Sequence, residues 1–184
     1  MKTALLFVGL GNPGEQYERT RHNIGYRVVD SYVAKSDSPL KSKRGSLFTE
    51  LTRGKGRIYV LKPNAFMNAS GDAVSSFMRY YNIPPERLWV IHDDVDLPFG
   101  SLRASFDRGD AGHQGVASII ERLGSKAFNR LRIGIGSNKP LGILSEEYVL
   151  QQFTEKEEME LSKKVLPAAL EKLATIETEL LKSE

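Results

Sequence analysis

Two short uninterrupted apolar runs restrict the folds open to this chain. Leu5-Leu6-Phe7-Val8 and Leu88-Trp89-Val90-Ile91 each break off into glycine, polar or acidic residues within a few positions. Runs this short with no polar alternation read as strands buried on both faces. Such strands need cover on each side, and the sequence offers helices for it. Ile24, Val28, Val29, Tyr32 and Val33 recur at helical spacing, as do Val74, Phe77, Met78 and Tyr81 within a helix expected over Ala69 to Tyr81. Pro84-Pro85 ends the second helix. Phe48 to Arg53 and Ile58 to Leu61 flank Gly54-Lys55-Gly56 and predict a hairpin. Ser101 to Phe106 reads as a strand, Val116 to Leu123 as a helix, and Leu131-Arg132-Ile133-Gly134-Ile135 as a last central strand. From Thr154 the chain is helical and charged, and Pro167 is expected to kink or split it. Strands that alternate with helices but include hairpins predict an α/β fold: a mixed sheet with helices on both faces. The 184 residues suit a single domain spanning 1–184.

Composition excludes several classes of chemistry. There is no cysteine, which removes disulfides, thiolate zinc sites and a cysteine nucleophile. The apolar run Ala4 to Leu10 is too short for a signal peptide and is interrupted by Gly9, and no stretch reaches membrane-spanning length. A soluble cytoplasmic protein is expected. The formal net charge of +3 permits a polyanionic partner without requiring one.

The polar segments carry the candidate chemistry. Gly9-Leu10-Gly11-Asn12-Pro13-Gly14 fits the dinucleotide fingerprint G-x-G-x-x-G. The fingerprint needs a helix opening at its glycines, however, and the helical periodicity here starts about ten residues late. Asp30 falls where the ribose-binding acid should be, but inside a helix. A tight turn needing glycines is the simpler reading. His22, in Thr20-Arg21-His22-Asn23-Ile24-Gly25, sits at or just before a helix N-terminus, where the dipole favours neutral imidazole. Taken alone it is as well explained as a helix-start residue. His92-Asp93-Asp94-Val95-Asp96 is an acidic turn after a strand. A carboxylate there could hold a histidine in one tautomer. Metal ligation by this segment is the competing reading, although carboxylate-rich turns more often serve capping. In Phe66-Met67-Asn68-Ala69-Ser70-Gly71, local sequence favours Asn68 or Ser70 as a helix cap over a substrate contact. Gly109 to Gly115 lacks the lysine of a triphosphate-binding loop. No serine occupies a Gly-x-Ser-x-Gly elbow. Lys41-Ser42-Lys43-Arg44 reads as a mobile surface loop.

In this order, these segments, with Gly112-His113-Gln114-Gly115 and Arg130-Leu131-Arg132-Ile133-Gly134-Ile135-Gly136, resemble the bacterial-type peptidyl-tRNA hydrolase family. The match runs from Val8 to about Phe153. The resemblance implies a monomeric α/β fold with a twisted mixed sheet, and no metal or organic cofactor. It implies hydrolysis of the ester between a peptide and the terminal ribose of tRNA, with the acceptor end and 5′ phosphate region as the partner surface. His22 matches the family's base and Asp93 the acid that supports it. Asn12 and Asn68 match substrate-recognising amides, and Tyr17 and Phe66 match positions lining the tRNA end. Arg103 and Arg132 match phosphate-holding residues. The chain departs from the family pattern twice. Gln114 stands where asparagine is usual, and Ser105 where a lysine is common, with Arg108 a candidate substitute. A non-catalytic RNA-binding homologue of the same fold is the alternative.

Overall fold

A computed structural model describes residues 4–36, 38–43, 45–54, 56–136 and 139–182. One seven-stranded sheet organises them. Its strands are β1 (Ala4–Gly9), β2 (Lys41–Lys43), β3 (Ser46–Arg53), β4 (Gly56–Pro63), β5 (Leu88–Asp94), β6 (Leu102–Phe106) and β7 (Asn129–Gly134). The order is β2-β3-β4-β1-β5-β7-β6. The four central strands β4, β1, β5 and β7 run parallel, while β2, β3 and β6 pair antiparallel at the two sides. The expected mixed sheet is therefore present.

Strand alternation divides the interior into two cores. Leu5 and Phe7 of β1 enter the core covered by α1 (Ile24–Val33) and α6 (Leu166–Lys182). Leu6 and Val8 face α2 (Ser70–Tyr81) and α3 (Gln114–Leu123). All four residues are fully buried. That double burial is why the run shows no polar alternation. The carboxyl ends of the four parallel strands gather at one end of the sheet, where open α/β folds build their sites.

Two local expectations change and a third holds. β5 continues through His92 and Asp93 to Asp94, because its ladder with β7 pairs His92 with Arg132 and Asp93 with Ile133. The acidic turn is thus partly strand. Lys41 to Lys43, expected as a mobile loop, forms the edge strand β2 against β3; Arg44 lies outside the described residues. Exposed lysines on such an edge discourage pairing with another chain. The helix around Pro167 is divided as expected. α5 (Glu155–Glu160) passes through a π-spaced segment, Leu161–Val165, into α6. The missing proline N–H disturbs the ladder in this stretch.

Candidate active site

The close approach of one helix to two strands builds the centre. Gly25, the second residue of α1, lies against the ends of β1 and β5. A Cβ there would stand 2.3 Å from the Ile91 carbonyl oxygen and 2.6 Å from the Leu10 amide nitrogen. The 3₁₀ turn Arg21–Asn23 immediately before α1 is thereby brought beside β5. His22, on that turn, directs Nδ1 at Asp93, 2.9 and 3.0 Å from the two carboxylate oxygens. Both residues are buried.

A second imidazole meets the same carboxylate. His113 precedes α3, and its Nδ1 accepts the amides of Gly115 and Val116 at 3.2 and 3.3 Å. Its proton therefore resides on Nε2, which lies 3.0 Å from Asp93 Oδ1. Asp93 thus holds two histidines, and their rings lie 4.8 Å apart between centroids. His92 completes the group, its ring 4.6 Å from that of His113. Its Nδ1 donates to the Asp93 carbonyl at 2.7 Å, leaving Nε2 buried with no hydrogen-bond partner.

Burial and charge oppose each other at these groups. At His22 burial is the largest influence and lowers the pKa. The charge of Asp93 and its hydrogen bond together outweigh burial, so the net shift is upward. The helix start alone predicted a neutral ring; the carboxylate reverses that direction. At Asp93 burial raises the pKa, but the two histidines more than offset it and hold the carboxyl well below the usual range. His92 is pushed far down, first by burial and then by His113. His22 and His92 are therefore displaced in opposite directions although both sit within one cluster.

Asn12 faces the cluster from the loop after β1. Its Oδ1 accepts the Met67 amide at 2.8 Å, so its Nδ2 is the group left to donate toward a ligand. Asn23 braces the Asn12 backbone from both sides, accepting its N–H at 2.8 Å and donating to its carbonyl at 2.9 Å. A cleft of about 730 Å³ opens over these groups. Asn12, His22, Phe66, Asn68, Asp93 and Gln114, all singled out by sequence, line it together. Tyr17 stands behind Phe66, ring to ring at 6.3 Å and nearly perpendicular. Asn68 caps nothing: the 3₁₀ turn Met67–Ala69 and the helix α2 have no side-chain cap, and Ser70 Oγ is buried without a partner. The capping expectation is corrected, and Asn68 is exposed on the cleft wall.

Arg103 and Arg132 lie outside this lining. They face each other across β6 and β7. Arg132 is held by Asp94 through Nε at 2.7 Å and Nη2 at 2.6 Å. Arg103 is exposed. Ser105 lies opposite Arg130, whose guanidinium binds the carbonyls of Arg108 and Gly109. Sequence reasoning missed the role of His113, the Asn23 brace, and the wall formed by Val149 and Leu150 beside α4 (Ser145–Val149). No spacing rule links His113 to Asp93; only the fold brings them together.

Two competing chemistries fail on geometry. His22, Asp93 and His113 present donor atoms within 4.8 Å of one another, the only such cluster suggested among the described residues. The His113 nitrogen facing Asp93 carries a hydrogen, so it offers no lone pair to a metal. Asp94 is engaged by Arg132, which keeps His92, Asp93 and Asp94 from acting as one ligand set. The glycine fingerprint serves packing instead of phosphate. A Cβ at Gly9 would meet the Gly25 carbonyl oxygen at 2.4 Å, and one at Gly11 would meet the Tyr26 ring at 2.6 Å. Asp30 lies in α1 and binds Lys62 at 2.7 and 2.8 Å.

Comparison with known proteins gives the same direction. The sequence model described as peptidyl-tRNA hydrolase matches residues 6–184. A Bacillus pumilus peptidyl-tRNA hydrolase is 42% identical over 160 residues, covering 86% of this chain and 84% of that one. One from Shouchella clausii is 48% identical over 132 residues, covering 71% of each. The crystal structure of peptidyl-tRNA hydrolase from Acinetobacter baumannii superposes with a TM-score of 0.84 at 29% identity, covering 100% of this chain and 91% of that one. With a family match over nearly its whole length and a shared architecture, the chain belongs to the peptidyl-tRNA hydrolase family.

Proposed function

We propose that the protein hydrolyses the ester joining a peptide to the terminal ribose of tRNA, with His22 as general base. The observation that carries this reading is the pairing of His22 Nδ1 with Asp93 at 2.9 Å beside the oriented amide of Asn12. With Nδ1–H committed to the carboxylate, Nε2 holds the lone pair that can take a proton from water. The water oxygen bonds to the acyl carbon, and the ribose oxygen leaves with a proton as the ester bond breaks. Asp93 stabilises the imidazolium formed on the way. Asn12 Nδ2, and the amides of Asn68 and Gln114 on the cleft wall, are donors for the developing oxyanion and the neighbouring peptide carbonyl. An aminoacyl-tRNA lacks that carbonyl and presents an ammonium instead, so a buried amide tuned to the peptide discriminates against it.

Phe66, 57% exposed, and Tyr17 offer aromatic surface to the terminal nucleotide. Arg103 and Arg132 are assigned to the 5′ phosphate region, a reading supported by their pairing as neighbouring cations across β6 and β7. Every proton transfer in this scheme is assigned to a side chain of this one chain, so a monomer working without a metal or organic cofactor suffices. Among the described residues no helix is long and apolar enough to cross a membrane. A cytoplasmic location suits a tRNA substrate.

Incubation with N-acetyl-aminoacyl-tRNA tests the reading. Release of N-acetyl-amino acid by the wild type, and its loss in His22→Ala, is expected. Tight RNA binding with no release by either protein would point to a non-catalytic RNA-binding homologue and overturn it.

A further inference from the structure

One residue before His22, a buried ion pair plays no part in the chemistry above. Arg21 donates Nη1 and Nη2 to the two carboxylate oxygens of Glu157 at 2.9 and 2.8 Å. The side chains are only 5% and 4% exposed. The guanidinium also lies over the rings of Tyr148 and Phe153, 4.5 and 5.0 Å from their centroids. Glu157 is fixed in turn, because Oε2 accepts the amide and hydroxyl of Thr154 at 2.8 and 3.0 Å, closing a capping box at the start of α5.

The surrounding backbone ties the same two regions. The Arg21 amide donates to the Gln151 carbonyl at 3.0 Å, and Thr20 forms an isolated antiparallel bridge with Gln152. On one side of this junction the turn Arg21–Asn23 carries the proposed base and the brace for Asn12. On the other side α4 and the residue after it contribute Glu146, Val149 and Leu150 to the lining of the cleft. A planar, two-pronged contact fixes both distance and angle between the parts it joins. Net stability is a poor explanation for it, since a well-packed apolar pair of similar volume is often as stable as a buried ion pair.

We propose that Arg21 and Glu157 are positioning residues, a clamp that sets His22 and the α4 wall at the separation the reaction needs. Neither lines the cleft, so both act through His22 and Val149. This rests on the ester-hydrolysis reading. A displacement of about 1 Å in a positioned site can cost on the order of 100-fold in rate.

The test uses the full-length double variant Arg21→Met with Glu157→Leu, which leaves no charge unpaired, and Arg21→Lys, which keeps the charge but loses the fork. Melting temperature, kcat and KM for N-acetyl-aminoacyl-tRNA, and the midpoint of the pH–rate profile are measured beside wild type. The expected result is a folded double variant whose kcat falls about 10- to 100-fold with KM little changed and the midpoint displaced. Arg21→Lys should show the same pattern in smaller measure. A folded double variant with wild-type kcat and midpoint overturns the clamp. If the double variant does not fold, wild-type kcat and midpoint in Arg21→Lys overturn it. A wild type that releases no amino acid removes the underlying reading itself, a separate outcome visible in the same assay.

Discussion

Asp93 accepts from His22 and His113 within one buried cluster, and most of the site's electrostatics follow from that carboxylate. The pKa of His22 stands above its ordinary 6.5 because Asp93 outweighs burial. A base must be neutral to act, so kcat/KM should rise with pH through a midpoint above 6.5 and level off beyond it. Asp93→Asn removes the influence that raises this pKa and leaves burial, which lowers it. The midpoint should therefore fall below 6.5, while the plateau rate drops on the order of 10²–10⁴-fold as the imidazolium loses its support. A plateau unchanged in a correctly folded variant would contradict this role for the carboxylate. Asn12→Asp separates two functions of one side chain. The variant keeps an acceptor for the Met67 amide but loses the donor facing the cleft, and a loss of about 10²–10³-fold in kcat is expected. For Gln114, whose amide sits on a longer stem than asparagine, Gln114→Asn should hold or increase turnover; slower turnover would show that the longer stem fits this cleft. His22, Asp93 and Asn12 were legible as site residues through the resemblance to the hydrolase family, since taken alone their segments fitted a helix start, an acidic turn and a tight turn equally well. His113 was legible only as a polar residue in a glycine-rich loop, since its bond to Asp93 joins segments 20 positions apart through folding alone.

At the scale of elements, the sequence revealed strand and helix types better than their ends. Leu5 to Val8 and Leu88 to Ile91 are buried on both faces and announce themselves through hydrophobicity. His92 to Asp94 extend β5 against local propensity, because the ladder to β7 supplies their backbone partners. Asn68 read as a cap for a similar reason: the local pattern is satisfied, but the 3₁₀ turn before α2 points the residue to the cleft wall. The junction of α1 with β1 and β5 yields a prediction in which two effects compete. Gly25→Ala improves helix propensity by about 1 kcal/mol. The new methyl, however, would stand 2.3 Å from the Ile91 carbonyl oxygen and 2.6 Å from Leu10 backbone atoms, none of which can swing aside as a side-chain tip does. Overpacking of this kind costs about 1–3 kcal/mol or more, so a net loss of stability is expected in chemical denaturation. Activity should fall further than stability explains, because the same shift carries His22 away from Asp93. A variant as stable and active as wild type would show that α1 is free to retreat.

Across the whole molecule, a net charge of only +3 provides a weak overall field, so RNA affinity must depend on where the cations sit. Arg103 and Arg132 face each other at the β6 side of the sheet, on the same end of the ladder that delivers His92 and Asp94. Arg132 is not a free cation. Asp94, 7% exposed, holds it at 2.6 Å, which orients the guanidinium but cancels much of its charge at a distance. The two substitutions should therefore differ. Arg103→Ala removes an exposed charge and is expected to lower tRNA affinity while reducing the salt slope of log K by about 0.7–0.9, the loss of one phosphate contact. Arg132→Ala removes a charge and also uncovers the carboxylate of Asp94 toward the RNA, so the affinity loss should exceed that of Arg103→Ala at low salt. Adding Asp94→Asn to Arg132→Ala should recover part of it, because the repulsive group is gone even though the cation is not restored. Binding titrations across salt concentrations, run in a His22→Ala background to prevent turnover, measure all three. Little or no loss in Arg132→Ala, unchanged on removing Asp94, would mean that the Arg132–Asp94 pair lies away from the path of the phosphates and that Arg103 carries its contact alone.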